Sequence, residues 1–177
     1  MKHKKLLMPV LRRGSFVLLI LASFIIQFTL LPKAGISASV YLLIPVSVCI
    51  AMFEKEFSGL FFGLLVGALW DLASPVTDGS LALFFALSGC MAGLLTHYLL
   101  RNTLLTAIIL SFLQSVLYTF ILQIYFIESF SFEMFSVLLK EHYIPPVLLA
   151  SLLSIPVYFL IRKLSGIFHS ELFSRGQ

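Results

Sequence analysis

Ser88 sits in the run Ala86-Leu87-Ser88-Gly89, one residue away from the Gly-x-Ser-Gly pattern that presents a serine nucleophile in some intramembrane proteases. A serine attacks only when a base lies within hydrogen-bond reach. The four histidines offer none: His3 and His169 fall in the chain's polar ends, His97 at the end of an apolar run and His142 just before another. Ser88 therefore reads as a small residue on a packing face. No His-Glu-x-x-His pair is present to hold a catalytic zinc. Cys49 and Cys90 lie inside apolar runs, with no Cys-x-x-Cys spacing and no ligand neighbour, and read as free thiols. The glycines sit within a helical run, not after a strand, so they cradle no phosphate. The expectation is a protein without catalytic residues, metal or cofactor.

The densest signal is the stretch EKEFSGLFFGLLVGALWDLASP, residues 54–75. Gly59, Gly63 and Gly67 recur every four residues and so line one stripe of a helix. Without side chains there, a second helix can approach closely, a leading way to hold helices together in lipid. Ala82, Ala86, Gly89 and Gly93 form a second small-residue ridge further along. Two readings follow. The two ridges pack on each other inside one bundle, or the glycine stripe, next to Trp70 and Asp71, forms or braces a surface for another protein's helix. Asp71 carries the same duality. An acid at membrane depth costs about 3 kcal/mol at a helix centre and less near the interface. It either accepts hydrogen bonds from the turn at 74–79 or a neighbouring helix, or it couples protons or ions. No second buried carboxylate or histidine offers a relay, which favours the structural role.

A third constellation is polar. Ser111, Gln114, Ser115 and Tyr118 share one face of a long apolar segment. Such a stripe should turn toward the protein, to make interhelical hydrogen bonds or to line a substrate pocket. With no charged partner to anchor a ligand, hydrogen bonding is the preferred reading.

The elements that position these residues follow from composition. Of 177 residues, 60% are hydrophobic and 11% charged, and the mean hydropathy is +1.06. A soluble domain is typically about 25% charged. So much apolar surface must face lipid, in one all-α membrane domain, residues 1–177. A span needs about 20 apolar residues. Six segments approach that length: 14–31, 36–53, 57–72, 81–100, 103–127 and 144–161. The runs are too uniformly apolar for a transmembrane barrel. The first has no small-residue cleavage site and is longer than a signal peptide's apolar core, so it reads as a helix.

The net charge of +4 flanks apolar runs and forms no patch for nucleic acid. With the N-terminus inside, Lys2, Lys4, Lys5, Arg12, Arg13, Lys55, Arg101, Arg162, Lys163 and Arg175 fall on the cytoplasmic side. Lys33 and Lys140 alone fall outside. By the positive-inside rule both ends are cytoplasmic. In the fifth connection, Phe132, Phe135, Leu138 and Leu139 oppose Glu133, Ser136 and Lys140. This reads as an interfacial helix at 130–141 or as a plain loop.

The basic start, the six apolar segments and above all the block 59–93 resemble the rod shape-determining protein MreD family of bacteria. That block runs from the glycine-spaced helix through Trp70-Asp71-Leu72, Ser74-Pro75 and Gly79 to the small-residue helix. The resemblance implies a noncatalytic plasma-membrane component of the cell-elongation machinery. It implies the bitopic protein MreC as partner, near the MreB cytoskeleton, a RodA-type polymerase and its transpeptidase. It also implies a fold like the substrate-binding subunits of energy-coupling-factor transporters. The alternative function is accordingly a small-molecule uptake subunit; a carrier of lipid-linked precursors is weaker, since no cation falls in the membrane core.

Overall fold

The structure, a computed structural model of the chain, describes residues 2–30, 41–54, 56–73, 79–125 and 144–173. Six α-helices account for almost all of these, and the described residues include no strand. They are α1 (Lys2–Ile25), α2 (Leu43–Phe53), α3 (Glu56–Ala73), α4 (Ser80–Leu94), α5 (Leu104–Tyr125) and α6 (Ile144–Phe173). Helices α1 and α4 each run on through a wider π-helical turn, Ile26–Leu30 and Leu95–Leu99. Five stretches are long and apolar enough to cross a bilayer: Leu11–Thr29, Glu56–Ala73, Ser80–Leu99, Leu104–Leu122 and Ile144–Gly166.

Helix α2 differs from the segment expected at 36–53. Its 11 residues span roughly 16 Å at about 1.5 Å per residue, half of the hydrocarbon thickness. Residues 36–40 of that segment lie outside the described residues, as does the interfacial helix expected at 130–141. All ten residues from Leu43 to Met52 are buried, and α2 packs against each of the other five helices. It is the central rod of the bundle, apolar on every side because every side meets protein. Pro45 falls in its first turn, where the amide that proline lacks would have had no helical partner.

Both ends of this rod are held by side chains from distant parts of the chain. At one end the Leu43 amide donates to Gln27 Oε1 at 2.9 Å. At the other, Asn102 Nδ2 donates to the Met52 carbonyl at 3.2 Å, and the Tyr158 hydroxyl donates to the Asn102 carbonyl at 3.1 Å. Arg12 Nη2 lies 2.5 Å from Glu54 Oε1, just past the end of α2. That pair is a close ion contact, not an aligned hydrogen bond, and the Glu54 side chain is 4% exposed. One end of the bundle thus collects Arg12 of α1, the end of α2, the connection between α4 and α5, and Tyr158 of α6.

Helix α6 runs 30 residues, well past the Arg162-Lys163 pair that closes its apolar stretch, with Pro156 inside it. Helix α1 likewise begins among the basic residues ahead of Gly14. Charge ends a membrane span but not a helix, since lysine and arginine are good helix formers. The outward faces carry Leu18, Phe57, Leu72, Phe120 and Leu152, all strongly exposed, as lipid-facing side chains should be.

Candidate functional site

Among the described residues, helices α3 and α4 form the most intimate pair. They run antiparallel, with Gly59 against Gly89, Gly63 against Phe85 and Ala86, and Gly67 against Leu81 and Ala82. Gly93 meets the backbone of Glu56. A Cβ at Gly59 would lie 2.6 Å from the Gly89 carbonyl oxygen, and one at Gly67 2.5 Å from Ala82 Cα. At Gly63 it would collide with the Phe85 carbonyl oxygen. The obstacles are backbone atoms, which cannot swing aside. Ala82, Ala86, Gly89 and Gly93 are therefore the ridge that fills the Gly59-Gly63-Gly67 groove. The stripe that the sequence offered as a seat for another protein's helix is occupied by α4.

Asp71 stands where α3 meets the start of α4. Its carboxylate accepts the Ala82 amide at 2.8 Å and the Leu81 amide at 3.3 Å. Both amides belong to the first turn of α4, whose early N–H groups have no helical acceptor. The carboxylate also meets the positive end of the α4 dipole. Gly79, at φ +83°, supplies the left-handed residue just before that helix. Asp71 thus accepts hydrogen bonds from a neighbouring helix.

Trp70 points inward and is 4% exposed. Its ring stacks on Phe85 with centroids 5.2 Å apart and 21° between planes. It also meets Tyr118 at 4.8 Å, Tyr41 at 6.0 Å and Phe28 at 6.1 Å. One aromatic cluster thereby joins α3, α4, α5, the π-helical end of α1 and Tyr41, two residues ahead of α2. Offset and edge-to-face pairs add about 0.5–1.5 kcal/mol each beyond area burial.

Of the polar stripe on α5, Ser111, Gln114, Ser115 and Tyr118 are all buried. Gln114 Nε2 donates to Ser88 Oγ at 2.9 Å and to Ser47 Oγ at 3.3 Å, linking α5 to α4 and α2. Ser115 donates back to the Ser111 carbonyl of its own helix. Tyr118 belongs to the aromatic cluster. Ser88 donates to the Phe85 carbonyl at 3.2 Å and accepts from Gln114 at 2.9 Å. Gln27, Tyr41, Phe85 and Asn102 escape the sequence reading. Gln27 and Asn102 are polar residues within or beside apolar runs, and that is their one visible mark.

These features describe a rigid membrane bundle whose tightest unit is the α3–α4 hairpin, with the Trp70-Asp71 corner locking its end. No curated protein and no solved structure matches the chain. A family model, the rod shape-determining protein MreD, matches residues 9–167, a stretch that takes in α2 to α5 whole together with most of α1 and α6. The chain therefore belongs to the rod shape-determining protein MreD family, multi-pass membrane proteins that determine cell shape.

Proposed function

We propose that the chain is a noncatalytic scaffold of the bacterial cell-elongation machinery, and that it binds the transmembrane helix of an MreC-like bitopic partner. The observation that carries this reading is the α3–α4 interlock. Three glycines spent on backbone-to-backbone contact build a stiff surface, and two nearby polar side chains, Asp71 and Ser88, are engaged in hydrogen bonds. Asp71 caps a helix, and Ser88 is bonded to a carbonyl and an amide. Stiffness suits a template that orients a partner. Gly59, Gly63, Gly67, Trp70 and Asp71 brace the surface that the partner meets. A RodA-type polymerase and its transpeptidase are further members of the same assembly. The protein lies in the plasma membrane with both ends in the cytoplasm, the orientation favoured by its basic residues.

The test is affinity capture of the full chain from membranes in mild detergent, with mass-spectrometric identification of what is retained. An MreC-like protein, with or without the polymerase pair, is the expected result. A coupling membrane subunit with a pair of cytoplasmic ATPases would instead make the chain an uptake subunit.

A further inference from the structure

Helices α4 and α5 are neighbours through α2 more than through each other, and their backbones hardly approach directly. Between them runs an open groove of about 260 Å³. Leu87, Met91 and Leu95 line one wall, and Leu110, Leu113 and Leu117 the other. The spacing from Leu87 to Leu95 makes the groove roughly 12 Å long, parallel to the helices. Leu87 is 64% exposed and Leu113 52%, so these walls face the bilayer.

The floor is polar. Ser88 and Gln114 both line the groove near the middle of their helices, where hydrocarbon surrounds the protein. Gln114 is 4% exposed. Both hydrogens of its amide are used, on Ser88 and Ser47. Its carbonyl oxygen accepts no hydrogen bond among the described residues. An amide oxygen in hydrocarbon without a donor is costly. A lipid chain filling the groove leaves that cost standing, because methylenes donate nothing. A helix carrying a hydroxyl or amide at the right height removes it.

We infer that the α4–α5 groove is the seat for a single transmembrane helix of another chain, one with a serine, threonine, asparagine or glutamine near its middle that donates to Gln114 Oε1. This rests on the scaffold reading and names the surface it uses. The bound helix packs on the leucine walls while its donor reaches the floor, the two forces that join helices in lipid. The α3–α4 interlock fixes one wall from behind, so the width of the groove is preset.

A photo-reactive phenylalanine analogue replacing Phe84, an aromatic residue that already lines the groove, tests this in the full-length protein in living cells. Leu18 and Leu152, on other lipid-facing surfaces, serve as comparison positions. The expected result is a strong adduct at 84, with the joined peptide mapping to the transmembrane segment of a bitopic protein, and little at 18 or 152. Gln114→Leu should lower that adduct by about three- to tenfold, the worth of one interhelical hydrogen bond in lipid. Since Gln114→Leu also loosens contacts to α2 and α4, Leu113→Trp provides a second route. It fills the groove from an exposed position and should abolish co-purification of the bitopic protein while the chain still accumulates. Adducts to lipid alone, or to a second copy of this chain, overturn the proposal. Unchanged capture by Leu113→Trp overturns it too and leaves the scaffold reading intact. Failure of the wild-type chain to capture any bitopic protein overturns both.

Discussion

Replacing Gly63 with alanine adds one methyl group at the tightest point of the α3–α4 contact. The new carbon would collide with the Phe85 carbonyl oxygen and sit 2.9 Å from the Phe85 carbonyl carbon and 3.2 Å from Ala86 Cα. Ordinary contact begins near 3.4 Å; even at the neighbouring Gly59, where the gap is 2.6 Å, the shortfall is about 0.8 Å. Because the obstacles are backbone, the helices themselves must separate. A radial gap of about 0.5–1 Å forfeits roughly a quarter to a half of the dispersion energy of the atoms it parts. Overpacking costs about 1–3 kcal/mol, and a backbone obstacle belongs at the upper end. Alanine returns about 1 kcal/mol of helix propensity. The net loss is thus about 2 kcal/mol. Gly166→Ala in α6 is the matched control: nothing lies within 4 Å of its added methyl, so it should be neutral or stabilise by up to about 1 kcal/mol. Reversible denaturant titration in detergent, followed by Trp70 fluorescence, reads both. Trp70 is buried against Phe85 and Tyr118, so separation of α3 from α4 changes its emission directly. Equal stability of the two alanine variants would refute the reasoning.

Asp71→Ala should destabilise the protein by about 0.5–2 kcal/mol through loss of the α4 cap, and Asp71→Asn by less because an acceptor remains; thermal melts of both settle the order. Arg12→Ala leaves the nearly buried Glu54 carboxylate unpaired and should cost more than Arg12→Ala combined with Glu54→Ala, measurable as a double-mutant cycle. Ser88→Ala removes one acceptor from Gln114 Nε2 and should cost about 1 kcal/mol of stability while growth and shape persist; loss of shape at normal protein level and stability would reopen a nucleophile role. In a chain lacking Cys49 and Cys90, Asp78→Cys should react with an impermeant thiol reagent on whole cells, and Arg101→Cys only after lysis. Labelling of Arg101→Cys on intact cells would invert the topology.

The faces of individual helices were legible in the sequence because small, polar and apolar residues recur with the helical period. Gly59, Gly63 and Gly67 announce a close approach from their spacing alone. What approaches them is a matter of pairing, and a ridge at 82–93 is as compatible with a neighbour's groove as with a stranger's. The central place of α2 was hidden for a different reason. In a soluble chain a segment apolar on all sides signals burial, but in a membrane chain it equally signals lipid. Residues 43–53 therefore look like any other span. The long-range polar ties were invisible as well. Gln27 to Leu43 and Asn102 to Met52 depend on how helix ends meet in space, and neither residue stands in a motif. Nothing in the sequence around Trp70 shows that its ring turns inward to four aromatic neighbours drawn from four other parts of the chain.

The central claim is that this bundle receives its partner through the membrane and not above it. Reconstituting the purified chain in nanodiscs with fluorescently labelled pieces of an MreC-like partner measures that directly. The partner's isolated transmembrane segment should bind with most of the affinity of the full-length protein, and Leu113→Trp should remove it. Binding retained by the partner's extramembrane domain alone, with none by the transmembrane segment, would contradict the account.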